Sequence, residues 1–408
     1  MASDVYLVHL KTRYLAALCA TILVSVFLNV GAPVAWAQAP DTALVNTPIP
    51  ETDTSALIKE LGLIESRLPV RDMIKGWHRP EKIVVFPDNN TNRITWLQEV
   101  ARGVKLIAVH NREEAIKELA DADAQVGTYC NRELIASAGP NFHWMHDMHT
   151  GMEACFGDNM LDKLKTGGSI VVTNTQRVFG DAVAVHATAL MLALARGLDL
   201  YARMDSTGHL TSVPLQRLWE LEGRTLLIAG FGSVGSEMAR LGHDLGMHVI
   251  ATNRTIPTNL PSYVEHVGLP NELGDMIGKA DVVMVALPLT PETTNLFNAD
   301  IFAKMKHGAM FINVARGAEV VNADLVAALK SGQVGYFGAD VTEPANLPAD
   351  DPLFTAPNVL ITRHMAAQAI DSSIATGGEN SWAIARENLR RYVAGDKLLS
   401  VVDPERGY

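Results

Sequence analysis

The sequence predicts an α/β protein of two domains, each a doubly wound parallel sheet with helices on both faces. Two observations carry this prediction. Short apolar runs rich in Val and Ile alternate with helical patterns, first from Glu81 and again from Leu221 to Thr362. Strands that alternate with helices in this way pair in parallel and are buried on both faces. The chain, at 408 residues, is also long enough for two well-buried cores.

Composition excludes several functional classes. The formal net charge is -11, and Lys and Arg form no basic stripe, so a nucleic-acid partner is not expected. Three cysteines in this length exclude a disulfide scaffold, and none has zinc-finger spacing. His143, His146 and His149 are spaced by three, but residues three apart on a strand face opposite sides. No metal site is therefore predicted.

The N-terminal segment has the pattern of a secretory signal peptide. Lys11 and Arg13 precede an apolar run over 14–30, and a small-x-small cleavage site follows, ending at Ala37. The apolar run is short for a segment that spans a bilayer. The alternatives to a signal peptide are a membrane anchor and a misassigned start codon. We expect a periplasmic or secreted protein with no stable membrane association after cleavage, or a cytoplasmic one if this segment is not a functional signal.

A glycine-rich turn indicates a dinucleotide-binding unit. The segment TLLIAGFGSVGSEMARLG places Gly230, Gly232 and Gly235 between a strand and a helix, with Ser233 and Val234 inside the turn. The first glycine would permit the tight turn, the second the approach of a pyrophosphate, and the third close helix packing. A second strand, HVIATN, follows at the expected distance. A purely structural glycine turn is the alternative.

The second strand ends at Asn253-Arg254-Thr255, where such units usually have an acid for the adenine ribose. A carboxylate there would repel a 2′-phosphate, whereas Arg254 offers it a fork of donors and its two neighbours add neutral ones. We therefore expect NADP to be preferred, with NAD possible. The alternative is a solvated arginine at the end of a strand.

Four further segments follow in order, namely DVVMVALPLTPETTNLFN, HGAMFINVARGAEVVN, YFGADVTEPANLP and NVLITRHMAA. Each is a strand that ends in polar or turn residues, where open α/β sheets place their ligands. Together with the glycine turn, this series resembles the D-isomer-specific 2-hydroxyacid dehydrogenase family, which includes glyoxylate and hydroxypyruvate reductases. The resemblance extends from about Glu81 to the end of the chain.

The resemblance implies three catalytic residues. Arg316 would bind the substrate carboxylate, His364 would exchange a proton with the carbonyl oxygen, and Glu343 would pair with His364 and orient it. Reduction of a 2-oxo acid needs a cation, a proton donor and a hydride, so the chemistry agrees with these roles. The chain departs from the family at Arg363 and Ala367, where the family usually has Pro and Gly.

The resemblance also implies the remaining contacts. On the cofactor side they are Leu287, Pro288, Thr293, Ala315, Asp340 (which would bind the nicotinamide amide) and Ala367. On the substrate side, the amides of Gly151 and Met152 would bind the carboxylate near the turn Gly127-Thr128. The ligand is expected to be a small 2-oxo or 2-hydroxy acid.

The implied architecture is a flavodoxin-like substrate-binding domain and a Rossmann coenzyme domain, with the active site in the cleft between them. The boundaries expected are 1–37 for the signal peptide, 38–75 for a leader, 76–182 for the first part of the substrate-binding domain, 183–363 for the coenzyme domain and 364–408 for the return to the first domain.

Other expectations concern assembly, redox state and rival functions. The helix GDAVAVHATALMLALARGL is apolar nearly all round. Such a helix is typically buried between domains or subunits, so a homodimer is expected. Cys130 and Cys155 are expected to be free buried thiols, with a disulfide between them in an oxidising compartment as the alternative. One rival function is a catalytically idle dinucleotide sensor. Another is an exported oxidoreductase that keeps its cofactor permanently bound.

Overall fold

The computed structural model describes residues 46, 48–87, 89–128, 130–152, 170–203, 214–367 and 378–403. The predicted signal peptide, residues 1–37, lies outside this part. Both sheets belong to one compact unit formed by 47–88 and 92–408. Of a second unit, only Asn46 and Asn89–Thr91 are among the described residues. Within the described ranges, no helix has both the length and the apolar character that crossing a membrane requires.

The first sheet is parallel and has the strand order β2-β1-β3-β4-β5 in the part of the chain described. Its strands are Lys82–Val85 (β1), Lys105–Ala108 (β2), Ala124–Thr128 (β3), Trp144–Asp147 (β4) and Val171–Asn174 (β5). The register of β3 against β4 shifts between Val126 and Thr128, where Gly127 has a φ of +101°. This irregularity lies at the carboxyl end of the strand, where a ligand loop begins.

The second sheet is also parallel, with the order β12-β11-β10-β9-β6-β7-β8. Its strands are Thr225–Ala229 (β6), His248–Thr252 (β7), Val264–Gly268 (β8), Val282–Val285 (β9), Ala309–Asn313 (β10), Val334–Ala339 (β11) and Val359–Ile361 (β12). The strand order reverses between β6 and β9, and this switch point is where open α/β sheets bind their ligands.

Helices cover the two sheets. In chain order they are Thr54–Leu61 (α1), Val70–Met73 (α2), Arg93–Gln98 (α3), Arg112–Leu119 (α4), Arg132–Ser137 (α5), Gly180–Ala195 (α6), Leu198–Arg203 (α7), Ser233–Asp244 (α8), Leu273–Met276 (α9), Ala299–Lys304 (α10), Asn322–Ser331 (α11) and Gly378–Ala394 (α12). Short 3-10 turns lie at Leu215–Arg217, Pro270–Glu272, Ile277–Lys279, Gly317–Glu319 and Pro352–Thr355.

Each sheet has an apolar core on both faces, because successive strand residues point to opposite sides. In β6, Leu227 packs with residues of α9, α10 and α11, whereas Leu226 and Ile228 pack with α6 and α8. On the first sheet, Ile83 packs with Trp382 and Leu389 of α12. The two parallel-sheet domains confirm the predicted fold class. The last helix, close to the C-terminus, thus packs on the sheet built from the N-terminal half.

Candidate active site

The three glycines of the turn after β6 have three different environments. Gly230 has a φ of +102°, and a Cβ there would lie 2.5 Å from the carbonyl oxygen of Ala286. A Cβ on Gly235 would lie 2.0 Å from the carbonyl oxygen of Gly230, so α8 can approach the strand only with glycine. A Cβ on Gly232 would meet nothing within 4 Å. The open face at Gly232, beside the N-terminal amides of α8, fits a dinucleotide pyrophosphate.

The residues that follow β7 lie at the same edge of the sheet. The backbone amide of Asn253 donates to the carbonyl of Gly268 at 2.9 Å, and its side-chain amide donates to the carbonyl of Thr255 at 2.9 Å. Arg254 is exposed. The pKa of the Glu292 carboxyl lies below its usual value, chiefly because of a hydrogen bond from Thr290 and, less strongly, because of the Arg254 charge. The Arg254 charge therefore acts on Glu292, in the loop that follows β9.

That loop contains Leu287, Pro288 and Thr293, which the sequence assigned to the cofactor. The hydroxyl of Thr293 donates to the carbonyl of Pro288 at 2.7 Å and accepts from the amide of Thr290 at 2.8 Å. Thr293 thus folds the loop back on itself. It shapes the rim at the carboxyl end of β9, and a direct cofactor contact by its hydroxyl stays a prediction.

Arg316 follows β10 in a turn held by the side chain of Asn313. The Asn313 amide donates to the carbonyl of Arg316 at 2.9 Å, and its oxygen accepts from the amide of Ala315 at 2.9 Å. Arg316 is half-buried. A Cβ on the next residue, Gly317, would lie 2.1 Å from the carbonyl carbon of Thr342. The turn that presents the guanidinium is therefore packed directly on the loop that follows β11.

Asp340, at the end of β11, holds the loop that carries His364. Its side chain is buried, with 1% exposed, and its carboxylate accepts hydrogen bonds from the amides of Met365 at 2.9 Å and Ala366 at 2.8 Å. Its backbone carbonyl accepts from the amide of His364 at 2.8 Å. The predicted contact of Asp340 with a nicotinamide stays a prediction. The structure gives this carboxylate another task, which is to anchor the His364 loop.

The predicted pairing of Glu343 with His364 is not formed. Both side chains are exposed, and no hydrogen bond or ion pair of the described residues joins them. The Glu343 backbone is fixed elsewhere, because its carbonyl accepts from the side chain of Asn322 at 2.5 Å. Within the described ranges, the contact that holds His364 is its backbone hydrogen bond to Asp340, and its φ is +46°. The described residues do not join the Glu343 carboxylate to the imidazole, and the role of Glu343 stays a prediction.

Strand order decides which of these residues are neighbours. Adjacent parallel strands lie about 4.8 Å apart. Because β12, β11 and β10 are consecutive in the sheet, the loops of His364, Asp340 and Arg316 leave the same edge side by side. The glycine turn of β6 lies two strands beyond β10, and Asn253-Arg254-Thr255 one strand further. Ala367, the last residue before an undescribed segment, is exposed.

In the first domain, Asp147 joins the two loops assigned to the substrate. Its carboxylate accepts from the amide of Cys130 at 2.5 Å and from the amide of His149 at 2.7 Å. The first contact fixes the backbone at Cys130, two residues after Thr128, and the second fixes the start of the loop that reaches Gly151 and Met152. Gly127 itself lies against the backbone of Phe86 and the ring of Trp382, where a Cβ would come within 2.9 Å of both.

Two further expectations concern histidines and cysteines of this region. His143 and His146 are buried and His149 is exposed, and the described residues contain no group of three side chains able to hold a metal ion. Cys130 is 2% exposed and is disulfide-bonded. Its predicted partner, Cys155, lies outside the described residues.

Comparison with known proteins identifies the family. The model of the D-isomer specific 2-hydroxyacid dehydrogenase NAD-binding domain matches residues 188–366. A glyoxylate/hydroxypyruvate reductase B of Citrobacter koseri is 32% identical over 242 residues, which are 58% of this chain and 72% of that protein. The chain belongs to the D-isomer-specific 2-hydroxyacid dehydrogenase family. The prediction made from the ordered motifs is confirmed at this level.

Other members of the family share the fold over most of the chain. A D-3-phosphoglycerate dehydrogenase of Methanocaldococcus jannaschii is 28% identical over 326 residues, 79% of this chain, and this chain spans 59% of its length. A solved family member from Xanthobacter autotrophicus, in complex with NADPH and MES, is 27% identical with a TM-score of 0.65. That comparison covers 81% of this chain and all of the other.

Sequence reasoning missed several residues that shape the site. The side chains of Asp147 and Asn313 hold the backbone of the site loops through hydrogen bonds. The absence of a side chain at Gly317 lets two loops pack closely. The imidazole of His186, on α6, lies 3.5 Å from the Asp340 carboxylate. The sequence did contain an indication for His186, because it is a lone imidazole in an apolar helix. Such a side chain needs a polar partner when it is buried, so a contact with a polar group could have been predicted. For Asn313 the signal was a polar residue at the end of a buried strand.

Proposed function

We propose that this protein is an NAD(P)-dependent oxidoreductase that interconverts a small 2-oxo acid and a D-2-hydroxy acid. The observation that carries the proposal is the arrangement along one sheet edge. The open glycine turn, the half-buried Arg316 and the anchored His364 loop follow one another at the carboxyl ends of β6, β10 and β12. Family membership supports it, because the relatives compared are named as dehydrogenases and reductases of such acids.

Each group has one task in this reaction. The glycine turn after β6 would hold the dinucleotide, which would supply the hydride for reduction or take it up in oxidation. The planar guanidinium of Arg316 suits a 2-oxo carboxylate, because its paired donors match two oxygens. The imidazole of His364 gives a proton to the carbonyl oxygen during reduction and takes it back during oxidation. The amides of Gly151 and Met152, on the loop that Asp147 fixes, would bind the same carboxylate from the first domain.

We further propose that NADP(H) is preferred over NAD(H). The residues after β7 offer no carboxylate to the ribose, and Arg254 is exposed at the rim of the site. The Xanthobacter family member, whose structure contains NADPH, supports this choice. A charge-assisted hydrogen bond contributes about 1.5–3 kcal/mol, and a tenfold preference corresponds to about 1.4 kcal/mol.

The test is a kinetic comparison of both reduced cofactors with glyoxylate, hydroxypyruvate, pyruvate and phenylpyruvate. We expect at least a tenfold higher kcat/KM with NADPH. Arg254→Ala should reduce efficiency with NADPH alone, and Asn253→Asp should weaken NADPH and favour NADH. Arg240→Ala, which removes an exposed arginine paired within α8, is the matched control and should change neither. Absence of turnover despite tight cofactor binding would instead support a dinucleotide sensor.

We also propose that the protein is exported. The predicted signal peptide and the disulfide at Cys130 agree, because disulfides persist mainly in oxidising compartments. Mass spectrometry of the mature chain should find a start near Gln38 and a bond between Cys130 and Cys155. Nucleotide recovered with the purified protein in a one-to-one ratio would indicate a permanently bound cofactor. A chain that retains Met1 would contradict export.

Assembly as a homodimer is the last part of the proposal. α6 packs one face on the coenzyme domain, yet Val185 is 57% exposed, and Leu198 and Tyr201 of α7 are 54% and 40% exposed. An apolar surface of this kind is typical of an interface between subunits. We expect light scattering to give the mass of a dimer, and Leu198→Glu to shift it toward that of a monomer.

A further inference from the structure

His186 is an imidazole in an otherwise mostly apolar helix. Its side chain is 19% exposed, although α6 packs on the coenzyme domain through most of its length. The Nε2 atom lies 2.8 Å from the hydroxyl of Thr362 and 3.5 Å from Oδ1 of Asp340. Thr362 follows β12 and is two residues before His364. The imidazole thus reaches across from α6 to the ends of two strands at the candidate site.

The direction of these hydrogen bonds follows from the number of protons available. The Thr362 hydroxyl has one hydrogen, and its shortest contact is 2.6 Å to Oδ1 of Asp340. The Asp340 carboxylate accepts from two backbone amides and has no hydrogen to offer when ionised. The hydroxyl therefore donates to Asp340, and Nε2 of His186 must carry a hydrogen and donate to the hydroxyl. Hydrogen bonds in such a chain polarise one another.

The series of hydrogen bonds from His186 through Thr362 and Asp340 ends at the His364 loop, whose backbone conformation is unusual. The amides of His364, Met365 and Ala366 all donate to Asp340, the first to its carbonyl and the others to its carboxylate. The φ of +46° at His364 lies in the left-handed region, which costs a residue other than glycine free energy. Such a conformation persists only where the surroundings hold it. Here Asp340 holds it, and His186 and Thr362 hold Asp340.

We propose that His186 is a positioning residue for the reaction. Through Thr362 and Asp340 it fixes the backbone of the acid–base loop, and so sets where the His364 imidazole stands relative to the substrate carbonyl. The role predicted for Glu343 is a different one, which is to pair with the imidazole itself. The inference rests on the proposed function, since it presumes that His364 transfers the proton.

The variants that test this inference remove one hydrogen bond each. His186→Phe and Thr362→Val should lower kcat at least tenfold, because small misplacements of a reacting group have large effects on rate. The KM for NADPH should change less than kcat, since neither residue borders the glycine turn that would bind the pyrophosphate. His186→Gln, whose amide nitrogen can replace Nε2 as a donor, and Thr362→Ser should restore most of kcat. Thr188→Val is the matched control, because among the described residues this hydroxyl of α6 bonds the carbonyl of Ala184 and no group of the His364 loop.

A second measurement does not depend on turnover. Hydrogen exchange at the amides of Met365 and Ala366 should be faster in His186→Phe and Thr362→Val than in the native protein and in Thr188→Val. Native kcat in both variants, or unchanged exchange at these amides, would overturn the inference while leaving the proposed function intact. No turnover by the native enzyme with any 2-oxo acid would instead overturn the proposed function, and faster exchange in the variants would still support the anchoring by His186.

Discussion

At the scale of single residues, the proposed proton transfer depends on His364. His364→Ala should therefore lower kcat about a hundredfold or more, which is the range for loss of a general acid. Glu343→Gln should lower kcat less than tenfold, because the described residues show no bond between Glu343 and His364 that could be lost. Steady-state kinetics in the direction of reduction measure both. A hundredfold loss in Glu343→Gln would show that the pair forms when substrate is bound.

At the scale of an element, two glycines of the turn between β6 and α8 have different tasks. Gly232 is expected to serve cofactor binding, and Gly235 serves the packing of the fold. Gly232→Ala should raise the Kd for NADPH at least tenfold with little change in Tm, because its Cβ would point into open space where the pyrophosphate is expected. Gly235→Ala should lower Tm, because its Cβ would overlap the Gly230 carbonyl, and forced overpacking costs about 1–3 kcal/mol. Fluorescence titration and thermal unfolding distinguish the two. An equal loss of Tm in both variants would contradict the assignment of Gly232 to cofactor binding and of Gly235 to packing.

At the scale of the whole molecule, the free energy of unfolding should depend on pH through His146. This imidazole is fully buried on β4, with Nδ1 2.8 Å from the Thr173 hydroxyl, and burial lowers its pKa from 6.5 to about 3. Below pH 6.5 the unfolded chain binds a proton that the folded chain does not bind. Stability is therefore lost as pH falls, by about 2 kcal/mol between pH 6.5 and 5 from this group.

Urea denaturation at pH 7 and pH 5 measures this contribution. His146→Asn should show a smaller difference between the two pH values than the native protein, because it has no group that titrates in this range. His307→Asn, a change at an exposed histidine, serves as the control and should keep the native difference. The same pH dependence in His146→Asn and in the native protein would mean that other groups cause it.

The sequence by itself determined the alternation of strands and helices, the glycine turn, and the order of motifs that places Arg316 and His364 after buried strands. These features are local, because strand periodicity, turn residues and helix starts depend on neighbours in the chain. The family, and with it the two-domain architecture, followed from the same local series. Arg254 is also where the sequence predicted it, at the end of β7 and exposed.

Only the tertiary structure decided which side chains meet. The pairing of Glu343 with His364 was expected from a motif, whereas the described structure leaves both side chains exposed and apart, so this pairing stays a prediction. The anchor of the His364 loop is instead the buried Asp340, reached through Thr362 by His186, 178 positions before His364 in the chain. Contacts between residues so far apart arise only when the sheet sets β11 beside β12 and α6 packs across them. A local pattern of residues therefore cannot predict the contact of His186 with the His364 loop.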